Sequence, residues 1–210
     1  MKVIDLLATS LNRRDDEPNQ ALADEIIKAS RKDWVQELVY NLQNRDKNIQ
    51  SDCIKVLYEI GERGSSELIA PFCKEFCEIL KSKNNRLVWG AMIALDTIAL
   101  TDPKSMFSSL PLIIATIDKG SVISIDHGVG ILAKLSSLNE YSDTTFPLLI
   151  EQLKRCPIKQ LPMYAEKSEI AINANNKAYF INMLESRLSE TERDSQKSRL
   201  TKLIKKLRSK

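Results

Sequence analysis

The sequence predicts an all-α protein, a right-handed α-solenoid of five to six antiparallel helix pairs. Three observations carry this. The 210 residues contain only 6 Gly and 7 Pro, too few for the turn every 8–12 residues that a β-sandwich or barrel needs. Hydrophobic residues make up 43% and charged residues 28%, the balance of a chain that buries a core and is not disordered. The third observation is an internal repeat.

Three segments superimpose: IQSDCIKVLYEIG from Ile49, LVWGAMIALDTIA from Leu87 and SIDHGVGILAKLS from Ser124. Each has a small residue, an aliphatic four later and another three after that: Cys53, Leu57, Ile60; Ala91, Leu95, Ile98; Gly128, Leu132, Leu135. Spacing of four then three is one stripe of a 3.6-residue helix. The anchors stand 38 and 37 residues apart, which is a repeat period. Seven residues before each lies a capping type, Asp46, Asn84 and Ser121, whose side-chain oxygen can accept from first-turn amides.

Between these helices lie others led by a proline, Pro71, Pro111 or Pro147, and ending in Lys or Arg. Proline suits a first turn, where its missing amide has no partner, and terminal cations suit the helix dipole. Short polar turns such as SKNN and DKGS make the two members of a unit antiparallel. The units run 2–30, with Asp15 capping EPNQALADEIIKA, then Asp33 to Gly61, 65–100, 104–138 and 143–173, and a last pair from Asn176. In the fifth unit Glu169 stands where the stripe expects an aliphatic residue.

This pairing of a Pro-led first helix with a second helix of the form cap, small-x3-aliphatic-x2-aliphatic resembles the HEAT repeat family and, more broadly, the armadillo-like solenoids. In that family an arginine often stands three residues before the anchor; here the positions hold Gln50, Val88 and Ile125. The resemblance implies second helices lining a concave face. The positions outside the core stripe would project there: Ser51, Lys55, Tyr58 and Glu59; then Trp89, Ile93, Asp96 and Thr97; then Asp126, Gly130, Ala133 and Lys134. A solvent face normally carries Lys and Glu. Trp89, Ile93, Gly130 and Ala133, rimmed by Asp96 and Asp126 and with Lys134 as a further candidate contact, instead suggest an apolar or small-residue strip that accepts a helix or extended peptide, with Trp89 as anchor. The alternative is that Trp89 packs between second helices.

Residues 191–210 hold eight Lys or Arg and two acids, so this segment is +6 and the remainder −3. Leu200, Leu203, Ile204 and Leu207 make it a basic amphipathic helix. The expected division is a repeat array over 1–190 and a capping helix over 191–210. Lys202, Lys205, Lys206 and Arg208 are candidates for contact with nucleic acid or an acidic partner.

No chemistry is evident. The single histidine, His127, follows Asp126, and adjacent helical residues point about 100° apart, so the two form no dyad. Cys73 and Cys77 share a helix face, but one histidine and no further thiol pair leave a metal without ligands. No cofactor, metal or small-molecule substrate is expected. Asp5 interrupts the apolar N-terminus and Asp96 the longest apolar run, so neither a signal peptide nor a membrane insertion is expected. Four cysteines fit a reducing, cytoplasmic setting. The function implied is a non-enzymatic scaffold holding a protein segment on its concave face. The alternative is nucleic-acid binding, since some HEAT-like solenoids are DNA glycosylases; that reading wants more groove cations than Lys55 and Lys134.

Overall fold

The computed structural model describes residues 2–209, which form twelve α-helices and several 3₁₀ turns, with no strand among the described residues. The chain divides into two compact units, one reaching Gly128 and the other starting at Val129.

In the first unit a 3₁₀ turn at Val3–Leu6 precedes α1 (Glu17–Ala29). The second pair is α2 (Lys32–Tyr40) and α3 (Lys47–Glu62). Two 3₁₀ turns and α4 (Cys73–Ile79) precede α5 (Asn85–Ile98), and α6 (Pro103–Ser108) with α7 (Leu110–Lys119) precede α8 (Val122–Ser136). The unit boundary falls inside α8. The second unit continues with α9 (Asn139–Arg155), α10 (Leu161–Ser168), α11 (Lys177–Arg187) and α12 (Asp194–Ser209). The expected anchors and stripes are core: Cys53, Leu57, Ala91, Leu95 and Leu132 are fully buried, and Gly128 is buried as well.

Second helices α1, α3 and α5 pack on one another in order. Two glycines fix how closely. A Cβ built on Gly90 of α5 would lie 2.6 Å from Ile54 Cγ1 of α3, and one on Gly61 of α3 would collide with Thr97 of α5. The pairs 54 with 90 and 61 with 97 share one offset of 36, so α3 and α5 run parallel, with the touching residues two short of the 38-residue anchor spacing. Gln50 ties the same two helices: its Nε2 donates to the Asn44 carbonyl at 2.7 Å and its Oε1 accepts from Asn84 Nδ2 at 3.3 Å.

That bond corrects one expectation. Asp46 does cap α3, accepting from the Asn48 amide at 2.8 Å. Asn84 sits at the N-cap of α5 without a side-chain cap bond, because its amide is directed to Gln50. Pro147 is a second correction, lying inside α9 and not in its first turn. The helix starts eight residues earlier, at Asn139, and Pro147 is exposed, where a carbonyl deprived of its donor can bond water. In the fifth unit α10 stops at Ser168, and Glu169 turns outward to pair with Lys206 Nζ at 2.7 Å.

An ion network links α1 and α3. Lys55 Nζ pairs with Glu59 at 2.7 Å and Asp16 at 3.3 Å, and Arg63 joins Glu59 at 3.1 Å to Asp24 at 2.6 Å. Burial pushes the Glu59 carboxyl up, but the hydrogen bond from Lys55 and the charge of Arg63 hold it, on balance, below its usual range. A depressed carboxylate contributes stability that is present above its unfolded pKa of 4.5 and is lost as pH falls through the folded value.

Gly90→Ala is expected to destabilise by about 1–3 kcal/mol through overpacking, opposite in sign to the gain of about 0.5–1 kcal/mol from the same change in an open helix; urea unfolding measures it. Glu59→Gln is expected to cost about 1–3 kcal/mol at pH 7. The difference from wild type should begin to shrink below pH 4.5, where the unfolded chain protonates, and close as pH falls through the lower folded value.

Candidate partner-binding surface

Trp89 lies in the second turn of α5 and is half-buried. It forms one wall of an open cleft of about 430 Å³, facing Leu112, Ala115 and Thr116 of α7, with Leu80 and Val88 beside it. The lining also includes Gly120, Ser121 and Ser124, where α7 turns into α8. The tight turn fixes this junction, since a Cβ on Gly120 would collide with the Thr116 carbonyl and lie 2.6 Å from Ser124 Cβ. The cleft therefore sits at the edge of the repeats, where first helices end and second helices begin. Trp89 is neither fully packed between second helices nor on an open strip with the other candidates.

Those candidates lie elsewhere. Ile93 is half-buried one turn further along α5 and does not line the cleft. Asp96 is buried, and its Oδ2 bonds His127 Nδ1 at 2.9 Å. Gly130 and Ala133 are buried, whereas Asp126 and Lys134 are half-buried and already engaged with neighbours. Thr97 covers Gly61 and donates to the Ala94 carbonyl at 2.7 Å. Glu59 is buried in the network described above. The expected solvent positions are thus largely used to join one second helix to the next. What marks the cleft, the approach of residues 112–116 to Trp89, leaves no trace in the spacing of a single helix.

His127 has a carboxylate partner on another helix. Asp96 precedes it by 31 residues on the neighbouring second helix. Both side chains are mostly covered, 22% and 13% exposed, so the bond fastens α5 to α8 within the first unit. Among the described residues no group of three or more His, Cys, Asp or Glu side chains gathers as for a metal. Cys73 and Cys77 are buried, and the Cys73 thiol donates to Met106 Sδ at 3.6 Å.

In the second unit α12 buries Leu200, Leu203, Ile204 and Leu207 and packs on α10 and α11. Its charges are partly spent there. Arg199 pairs with Glu166, Lys206 with Glu169 and Arg208 with Glu185. Lys202 and Lys205 are exposed and form no ion pair among the described residues. Among the described residues no helix is long and apolar enough to cross a membrane.

No protein-family model and no curated protein matches the chain. Solved structures do. An engineered protein superimposes with a TM-score of 0.67 over 100% of this chain and 98% of its own, at 16% identity. A computationally designed armadillo repeat protein for modular peptide recognition gives 0.62 over 97% of each chain, at 14% identity. A designed armadillo repeat protein in complex with the peptide (KR)4 gives 0.62 over 98% of this chain and 99% of that one, at 16% identity. The chain has an armadillo/HEAT-like α-solenoid fold.

His127→Ala is expected to lower stability by about 1–3 kcal/mol, because it withdraws a partner from a buried carboxylate. His127→Gln, which retains a donor, is expected to lose less. Thermal or urea unfolding compares the two.

Proposed function

We propose that this chain is a cytoplasmic, non-enzymatic repeat scaffold that holds a peptide segment against its first unit, with Trp89 as the anchor. The observation that carries the reading is the Trp89 cleft: a half-exposed indole facing Leu112 and Ala115 across an open volume of about 430 Å³. That volume is within the range of pockets that take a ligand, and tryptophan is the residue type most enriched among those that dominate binding energy. The fold supports the reading, since one structural neighbour was designed for modular peptide recognition and another carries a bound peptide. Four free, buried cysteines suit a reducing compartment.

For residues 191–210 we favour the role of end cap. Three of the helix's cations neutralise Glu166 of α10, Glu169 in the turn after it and Glu185 of α11, which leaves fewer for phosphate contacts. Lys202 and Lys205 keep the outer face charged and soluble.

Selection from a random peptide display library on the immobilised chain is expected to yield ligands that Trp89→Ala weakens by at least about 2 kcal/mol, with helical content by circular dichroism unchanged. Ligands indifferent to that substitution would overturn the assignment of the cleft.

A further inference from the structure

We infer that the segment held at Trp89 is acidic, an apolar side chain flanked by carboxylates; this rests on the reading of the cleft as the binding surface. The lining of the cleft is one-sided in charge. Lys81 and Lys119 line it, and no Asp or Glu does. Lys81 is engaged by Glu78 at 2.7 Å. Lys119 is exposed and forms no ion pair among the described residues.

The same sign continues along α5. Arg86 stands three residues before Trp89, so the two side chains are neighbours on one helix face. Arg86 is exposed, forms no ion pair among the described residues, and lines a polar hollow of about 670 Å³ together with Arg14, which is likewise exposed and unpaired. Carboxylates do line this hollow, but each is taken. Asp15 is held by Arg13 at 2.7 Å and Asp16 by Lys55 at 3.3 Å. Asp52 accepts from the Thr9 amide at 2.7 Å and from Asn19 Nδ2 at 3.0 Å.

Of the cations near Trp89, Lys119 within the cleft and Arg86 on the same helix are left without an ion pair among the described residues, and Arg14 shares the hollow of Arg86, where Asp52 is held by neutral donors. A peptide crossing this edge places its apolar residue against Trp89, Leu112 and Ala115, and its neighbours beside Lys119 and Arg86. Carboxylates there gain from both cations at short range, where screening by physiological salt is incomplete. Lysines in the cleft would meet Lys81 and Lys119, and its lining offers no acid to receive them. Charge of this kind sets partner choice and association rate more than total affinity.

The test uses the full chain and three fluorescein-labelled peptides: Glu-Glu-Leu-Phe-Glu-Glu, the same peptide with Lys for every Glu, and the same with Gln. Fluorescence anisotropy at about 50 mM salt is expected to show the Glu peptide bound at least about tenfold more tightly than the Lys peptide, with the preference eroding by about 500 mM. The double variant Arg86→Glu, Lys119→Glu changes two exposed residues outside the core, and is expected to weaken the Glu peptide at least about tenfold and to strengthen the Lys peptide. Equal or tighter binding of the Lys peptide to wild type, or an unaltered Glu-peptide affinity in the double variant, overturns the acidic preference. If the Gln or Lys peptide binds best and Trp89→Ala abolishes that binding, the cleft stands as the docking surface and only its charge preference falls. If no peptide binds and display selection also yields no Trp89-dependent ligand, both fall together.

Discussion

Everything in the first unit depends on how closely parallel second helices can approach. Gly90 lets α5 settle against Ile54 of α3, Gly61 lets α3 settle against Thr97 of α5, and Gly128 of α8 leaves room for Ile117 and Met92. Glycine inside a helix costs about 0.5–1 kcal/mol relative to alanine, so each position gives up local helical stability for contact with the next repeat. The common offset of 36 between the touching residues means that one geometric step is applied again along the array.

Polar groups reinforce the same step. Gln50 spans from the Asn44 carbonyl to Asn84, and His127 spans from α8 to Asp96 of α5. Lys55, Glu59 and Arg63 do the equivalent between α3 and α1. In the second unit Arg187 plays a related part, donating to the carbonyls of Leu153 and Cys156 at 2.8 and 2.9 Å and so closing the C-terminal end of α9. These bonds are directional, and they hold the register more sharply than aliphatic contact alone does.

The helical class, the pairing and the core stripe were legible in the sequence because they follow from a 3.6-residue period repeated every 37–38 residues. Cys53, Ala91 and Gly128 mark it, and they are buried. What was not legible follows from what periodicity omits. It gives the direction of a side chain on its own helix but not the distance to the next helix, so Glu59, Asp96 and Ala133 read as solvent positions although tight stacking buries them. Asn84 reads as a cap because its type and place are right; only the approach of Gln50 redirects it. Pro147 reads as a helix start, yet its exposed position lets the helix pass through it. Trp89 was visible as an anomaly on a polar face, while the wall opposite it comes from residues 112–116 and is a product of folding.

The placement of the four cysteines gives the molecule an internal clock. Cys53, Cys73 and Cys77 are buried in the first unit and Cys156 in the second. A buried thiol reacts with an alkylating reagent only during the moments when its own segment opens. Pulse alkylation read by mass spectrometry thus times the breathing of the two units separately, without any added label. Equal rates at Cys53 and Cys156 describe a chain that opens as one cooperative body; unequal rates describe two that open independently, and a ligand confined to the first unit slows only the former.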